Sequence, residues 1–299
     1  MLKPPNLMLF LLTFLTLPVA AEEVTRRVDL DGVIRIRMDG ANNLHFIQGE
    51  DEHVSITTEK EMLERVDARV EGNQLHLSRK RQGKGWGWFN NDWGNNQHPV
   101  HFEVELKDLS QLRINGAGKV VMGELEVTKL TLNAAGSSEF DLARIKAGEF
   151  RLRMAGSSKL EAVAIASKDI QVQIFGSGKL EIPDVIAEEV DFTIAGSGDI
   201  EVDTLEAKEL EISINGSGDV TLAGSVDSQR LAVNGSGKYR AFGLASRTAD
   251  IEVNGSGSIE VNVREQLITE LSRGSLVTYQ GGPDLNVDTS GGGRVRKAD

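Results

Sequence analysis

Three groups of residues in the chain have types and spacings that could do chemistry. The first is a set of carboxylates, Asp141, Glu161, Glu181 and Glu201, evenly spaced along the chain. Brought side by side in stacked strands they would stand about 5 Å apart, a separation that suits the acid and the nucleophile of a retaining glycosidase. Lys159 and Lys179 precede two of them by two positions, on the same face of an extended strand. The set therefore reads first as an exposed, self-neutralising charge ladder. The second group is the segment 79–97, where Arg79, Lys80, Arg81 and Lys84 precede Trp86, Trp88, Phe89 and Trp93. All three tryptophans of the chain lie there, in a Gly- and Asn-rich stretch that cannot bury the rings within itself. Aromatic rings beside cations can stack on sugar faces, enter a membrane interface or anchor a protein; alternatively they fold down as a cover over a core.

The third group is a triplet, Gly-Ser-Gly or a near variant, that starts at Gly116, Gly136, Gly156, Gly176, Gly196, Gly216, Gly235 and Gly255. A Gly-x-Gly turn cradles phosphate only where a helix follows it, and no helical period follows any copy. Gly-Ser-Gly-Asp at 196–199 and 216–219 resembles calcium-binding nonapeptide repeats, yet Lys119, Lys159, Lys179 and Lys238 hold the fourth position elsewhere. Eight serial copies also make any single serine a poor candidate for a nucleophile. The five histidines, His45, His53, His76, His98 and His101, show no zinc spacing. No catalytic residue, metal or cofactor is expected.

What must position these groups is set by the period itself. The triplets recur at a step of about 20 residues, one shorter between Gly216 and Gly235, and self-similarity at that period means one small unit stacked many times. Two and four positions before each first Gly the residue is apolar, as in Ile174 and Val172 or Ile214 and Ile212, with Arg113, Asn133, Arg153, Gln173 or their counterparts between. That is the alternation of a half-buried strand. It resumes after the triplet at Val120, Phe140, Leu160 and Leu180, and a third apolar position follows at Leu125, Ile145, Ile165, Val185, Leu205 and Leu244. Each triplet is then a corner between strands, with its first Gly at positive φ and its middle serine stacked where the hydroxyl can reach a neighbouring coil. A strand cannot satisfy its own backbone, so coils must pair above and below. The expected fold is all-β, a parallel β-helix (β-solenoid), right-handed, with coils of about 20 residues. A propeller is excluded because each blade needs about 40 residues.

Before the triplets, strand-like stretches at 33–38, 44–47, 54–58, 66–70, 75–77 and 100–106 are less regular and read as opening coils or a cap. Capping is required because open solenoid ends expose unpaired backbone; Pro283 with Arg294, Arg296 and Lys297 would guard the other end. The expected organisation is a secretory signal peptide at 1–21 (Lys3, an apolar run 7–17, and Val19-Ala20-Ala21), irregular N-terminal coils with the Trp-rich loop at 22–110, and regular coils with a terminal cap at 111–299. The apolar run is too short to span a bilayer, so the expectation is export to the periplasm or cell surface, with no transmembrane segment. A net charge of −12 argues against nucleic acid and anionic lipid as general partners, and the absence of cysteine excludes disulfide stapling.

The stretches 27–33 (Arg-Val-Asp-Leu-Asp-Gly-Val), Ile47-Gln48-Gly49, 112–118 (Leu-Arg-Ile-Asn-Gly-Ala-Gly), the recurrent Asn-Gly-Ser-Gly and Tyr279-Gln280-Gly281-Gly282-Pro283 together resemble the head GIN domain family of autotransporter adhesins, over roughly 24–295. The resemblance implies a bacterial, exported β-solenoid with an adhesin-like role, and it carries no catalytic residues. No alternating lipid-facing strands of a transporter barrel follow the last coil. The expected function is a non-catalytic binding or scaffold module of the cell envelope, whose candidate partners are a glycan or an envelope protein. The alternatives are a polysaccharide lyase or hydrolase on a solenoid face, and envelope assembly through solenoid-end stacking.

Overall fold

A computed structural model describes residues 23–80 and 100–298. The chain is a stack of β-coils in parallel, in-register contact. One coil shows why the sequence folds this way. Along Glu139–Gly156 the buried residues are Phe140 and Leu142, then Ile145 and Ala147, then Phe150, Leu152 and Met154. The inward parity flips after Leu142 and again after Ala147, so the strand bends twice and encloses a core on three faces. The next coil repeats the pattern with Phe140 on Leu160, Ile145 on Ile165 and Leu152 on Val172. Aliphatic ladders therefore run along the axis, each rung covered by the rungs above and below.

The corner between the third face of one coil and the first face of the next is the triplet. Its first glycines all have positive φ, from 110° at Gly156 to 154° at Gly255. A Cβ on Gly176 would lie 2.5 Å from the carbonyl oxygen of Gly156 one coil below, and the other corners of the series are as tight. The middle residue is not buried in any copy. Its bond to the neighbouring coil is made by the backbone, as where Ser157 N–H donates to Gly136 O at 2.8 Å and Ser177 N–H to Gly156 O at 2.9 Å; the hydroxyl bond expected from the sequence is made at Ser256, whose Oγ donates to Arg273 O at 3.4 Å. The serines whose hydroxyls point in are Ser138 and Ser158 at the third position, which donate to Gly116 O and Gly136 O at 3.2 and 3.5 Å. There the other copies carry glycine, as at Gly198, Gly218 and Gly237, each packed against an isoleucine methyl and a backbone carbonyl.

Stack order departs from chain order at the N-terminal end. The strands are β1 (Glu23–Asp29), β2 (Arg35–Asp39), β3 (Asn43–Gln48), β4 (His53–Glu59), β5 (Val66–Glu71), β6 (Gln74–Arg79), β7 (His101–Leu106), β8 (Gln111–Gly116) and β9 (Lys119–Met122). The coil made by β2 and β3 lies directly against β8 and β9 on one side and against β6 and β7 on the other. The coil made by β6 and β7 is thus outermost, although it comes later in the chain. Its edges are covered by antiparallel strands, β5 on β6, β4 on β7 and β1 on β4. Antiparallel closure ends the parallel ladder at this end. At the other end the step between coils shortens, with Ser258 pairing with Leu276 and Leu276 with Arg294. Arg294 and Arg296 sit on that last edge strand, and Leu285 and Val287 of the last coil stand exposed.

The shorter step between Gly216 and Gly235 is absorbed at Gly224, where the register shifts between Val202 and Leu205 and φ is 120°. In and beside this coil the core admits polar groups. The buried Tyr239 hydroxyl donates to Gln229 Oε1 at 2.7 Å, Gln229 Nε2 donates to Ser246 Oγ at 2.8 Å, and Ser246 Oγ donates to Asn262 O at 3.1 Å. Burial pushes the Tyr239 phenol up, so it stays protonated and keeps donating. No helix among the described residues is long and apolar enough to cross a membrane.

Two stability outcomes follow from this packing. Gly176→Ala should lower the unfolding free energy by about 3 kcal/mol or more, because it adds both a positive-φ penalty and an overlap with backbone; Ser177→Ala should stay within about 0.5 kcal/mol, both read by denaturant melts. Tyr239→Phe strips the donor from a buried amide and should cost about 1–3 kcal/mol.

Candidate functional site

In-register stacking converts each outward position into a column, and the columns are where chemistry is available. Asp141, Glu161, Glu181 and Glu201 pair in that order. Lysines from the column two positions earlier occupy the space between them. Lys119 lies 2.5 Å from Asp141, while Lys159 contacts Glu161 and sits 3.0 Å from Glu181, which Lys179 also contacts. The hydrogen bonds from Lys179 and then Lys159 pull the Glu181 carboxyl down to about 2, and those to Glu161 and then Glu181 push the Lys159 ammonium up. A general acid needs the opposite shift. From Asp141 to Glu181 this column is a salt ladder.

The aromatic segment falls largely outside the described residues: Arg81, Lys84, Trp86, Trp88, Phe89 and Trp93 lie within 81–99. The described strands on either side of it, β6 and β7, pair with β2 and β3 of the neighbouring coil. Arg79, at its start, is partly buried, and its Nε donates to Asn42 Oδ1 at 3.0 Å. Arg79 thus braces the corner, and Lys80 N–H donates to Arg65 O at 2.7 Å.

The described histidines do not converge, and His98 lies outside the described residues. His45 faces Glu103 at 3.4 Å, His76 faces Glu71 at 3.4 Å, and the buried His53 Nδ1 lies 2.6 Å from Asp51 O. Among the described residues no group of three His, Cys, Asp or Glu side chains is placed to hold a metal.

One arrangement was not foreseen from the sequence. On the outward side of the strand leading into each corner, His76, Arg37, Arg113, Asn133, Arg153 and Gln173 form one column. Farther along the axis the same face carries Asp169, Glu189, Asp191, Glu209 and Glu211, which line a concavity of about 720 Å³. The face is therefore polarised, basic toward the N-terminal end of the stack and acidic beyond it. Arg113 and Arg153 were visible in the repeat as spacers between inward residues. Arg37 was not, because its coil is separated from theirs in sequence and joins them only through the changed stack order; Met38-Asp39-Gly40, matching Ile114-Asn115-Gly116, was the available clue.

The coil geometry has counterparts among known proteins. A family model described as "Putative auto-transporter adhesin, head GIN domain" matches residues 34–205 and 193–283. The chain belongs to this family. Solved structures similar to it include "a putative adhesin" from Parabacteroides merdae, 14% identical with a TM-score of 0.54, covering 93% of this chain and 97% of that one. Others are putative adhesins from Parabacteroides distasonis (16%, TM-score 0.54) and Bacteroides fragilis (16%, TM-score 0.53), each covering 93% of this chain and 98% of theirs. At such identities the likeness establishes the fold. Among curated proteins none matches.

The salt ladder of this head GIN domain yields a pH outcome. A carboxyl lowered in the folded state contributes stability above its ordinary value near 4.5, and loses it as pH falls through about 2. NMR titration should find Glu181 ionised at pH 3, and Lys159→Ala with Lys179→Ala should return its midpoint toward the ordinary carboxylate range.

Proposed function

We propose that the protein is a non-catalytic, exported binding module of the bacterial cell envelope, adhesin-like in role. The observation that carries this reading is the sequence between β6 and β7, which holds all three tryptophans of the chain behind four basic residues, Arg79, Lys80, Arg81 and Lys84. Long connections between the elements of a rigid scaffold are where binding residues concentrate. Family membership and the adhesin names of the similar structures support the same reading. So does the ion-paired state of the carboxylate ladder, which offers no raised acid for hydrolysis. The organisation proposed is a cleaved leader at 1–21, an irregular entry region at 22–110 that includes the Trp-rich segment 79–97, and a regular stack at 111–299. The ligand class is an envelope or host glycan, which the tryptophans would stack against.

The test is a pull-down of purified full chain on envelope fractions and immobilised glycans. Trp86→Ala, Trp88→Ala and Trp93→Ala combined should reduce binding at least about tenfold, the loss of roughly 1.4 kcal/mol, with an unchanged thermal midpoint. A lowered midpoint with undiminished binding would instead make the segment a cover for the solenoid end.

A further inference from the structure

The basic half of the polarised face contains a built notch. Arg37, Arg113, Asn115, Asn133 and Arg153 surround a depression of about 380 Å³, with Ala135 and Ala155 beside it. We infer that this notch binds an oxyanion carried on a saccharide, a carboxylate or a sulfate, with Arg113 and Arg153 as its two cationic contacts. The inference rests on the binding-module reading above and names the chemistry of one ligand group.

Charge accounting singles out these two arginines. Arg37 is already committed: its Nε lies 3.0 Å from Asp39 Oδ2, and Asp39 Oδ1 also accepts from Asn115 Nδ2 at 2.7 Å. Arg113 is exposed and, among the described residues, pairs with no carboxylate. Arg153 pairs with none either; it lies over the Phe175 ring at 4.4 Å, with Nη1 3.5 Å from Gln173 Oε1. Arg144, Lys168, Lys238 and Arg264 of the regular coils also have no carboxylate partner among the described residues, but Arg113 and Arg153 are the two that meet at one depression, on a chain of net charge −12. Between them, Asn133 Nδ2 is covered and has no hydrogen-bond partner. A covered donor without an acceptor is costly in a native structure, and turning the Asn133 amide outward would bring that donor to an oxyanion in the notch.

The shape favours a saccharide over a compact ion. Arg113 and Arg153 are two coils apart, about 10 Å along the axis, too far for one small anion to span both. The column next to theirs toward the corner runs Asn115, Ala135, Ala155 and Phe175. Two alanines leave the depression open, and stacking on the Phe175 ring holds the Arg153 guanidinium at one end of it. Farther along the stack the face is mainly acidic, with Asp169, Glu189, Asp191, Glu209 and Glu211, although Arg151 and Arg230 line the same concavity, so a polyanionic chain is favoured toward the basic end.

Calorimetry with oligogalacturonate, chondroitin sulfate and neutral dextran tests the inference on the full chain. Expected is binding of one or both polyanions, none of dextran, and at least an about tenfold loss of affinity in Arg113→Gln/Arg153→Gln at an unchanged thermal midpoint. Glu252→Gln, on the same face at its acidic end, should bind as the parent does. Binding of oligogalacturonate alone or of chondroitin sulfate alone identifies the oxyanion as carboxylate or sulfate. Equal binding by the double variant, or no binding of either polyanion while envelope fractions are still bound, overturns the notch and leaves the binding module standing. Loss of all binding by the parent overturns both.

Discussion

Everything in this molecule depends on the pairing of each coil with the next through backbone hydrogen bonds at strand spacing. Because the coils are in register, that pairing puts each residue against its counterpart one repeat later for most of the stack. At the corner the constraint is strictest. The carbonyl of one first glycine occupies the space that a side chain on the next would need, so a side chain cannot enter the series without parting two coils. Glycine there is required by the proximity of neighbouring main chains as much as by φ, and this explains why the motif is copied rather than merely common.

The same register makes surface chemistry a problem of neighbours. Identical outward residues would set like charges beside each other along a column, which destabilises stacked strands. The chain resolves this in two ways. Lysines from one column reach between the carboxylates of another, as Lys159 does between Glu161 and Glu181. Elsewhere like charges are spread along the axis into opposite halves, basic at Arg113 and Arg153, acidic from Asp169 to Glu211. The first solution produces a neutralised surface and the second produces a field along the axis.

Much of the regular stack was legible in the sequence because a solenoid repeats its instructions. The inward columns at Ile114 to Val253, the corner triplets and the third apolar position at Leu125 to Leu244 all read directly from spacing, and these apolar residues line the core. Two things were not legible. The buried serines, Ser138 and Ser158, occupy a position where most copies hold glycine, so alignment alone drew notice to the serines beside them. The basic column was hidden for a topological reason: Arg37 belongs to a coil that the chain writes first and stacks second, and no fixed period connects it to Arg113. The Trp-rich segment was conspicuous in sequence, and residues 81–99 lie outside the described ones.

The interleaving of β2 and β3 between later coils has a consequence for how the molecule assembles. Regular coils close on partners a single repeat away, as the chain emerges. The coil of β2 and β3 meets β8 and β9 only across a far longer stretch of chain, as the contact of Asp39 with Asn115 shows. Local pairings form fast and distant ones slowly, so the regular stack can nucleate while its own first layer is still unplaced. Closing the entry region carries the larger loop-closure cost, because Asp39 and Asn115 meet across 76 residues of chain. The end of the stack is thus the part whose assembly leans most on the coils already in place.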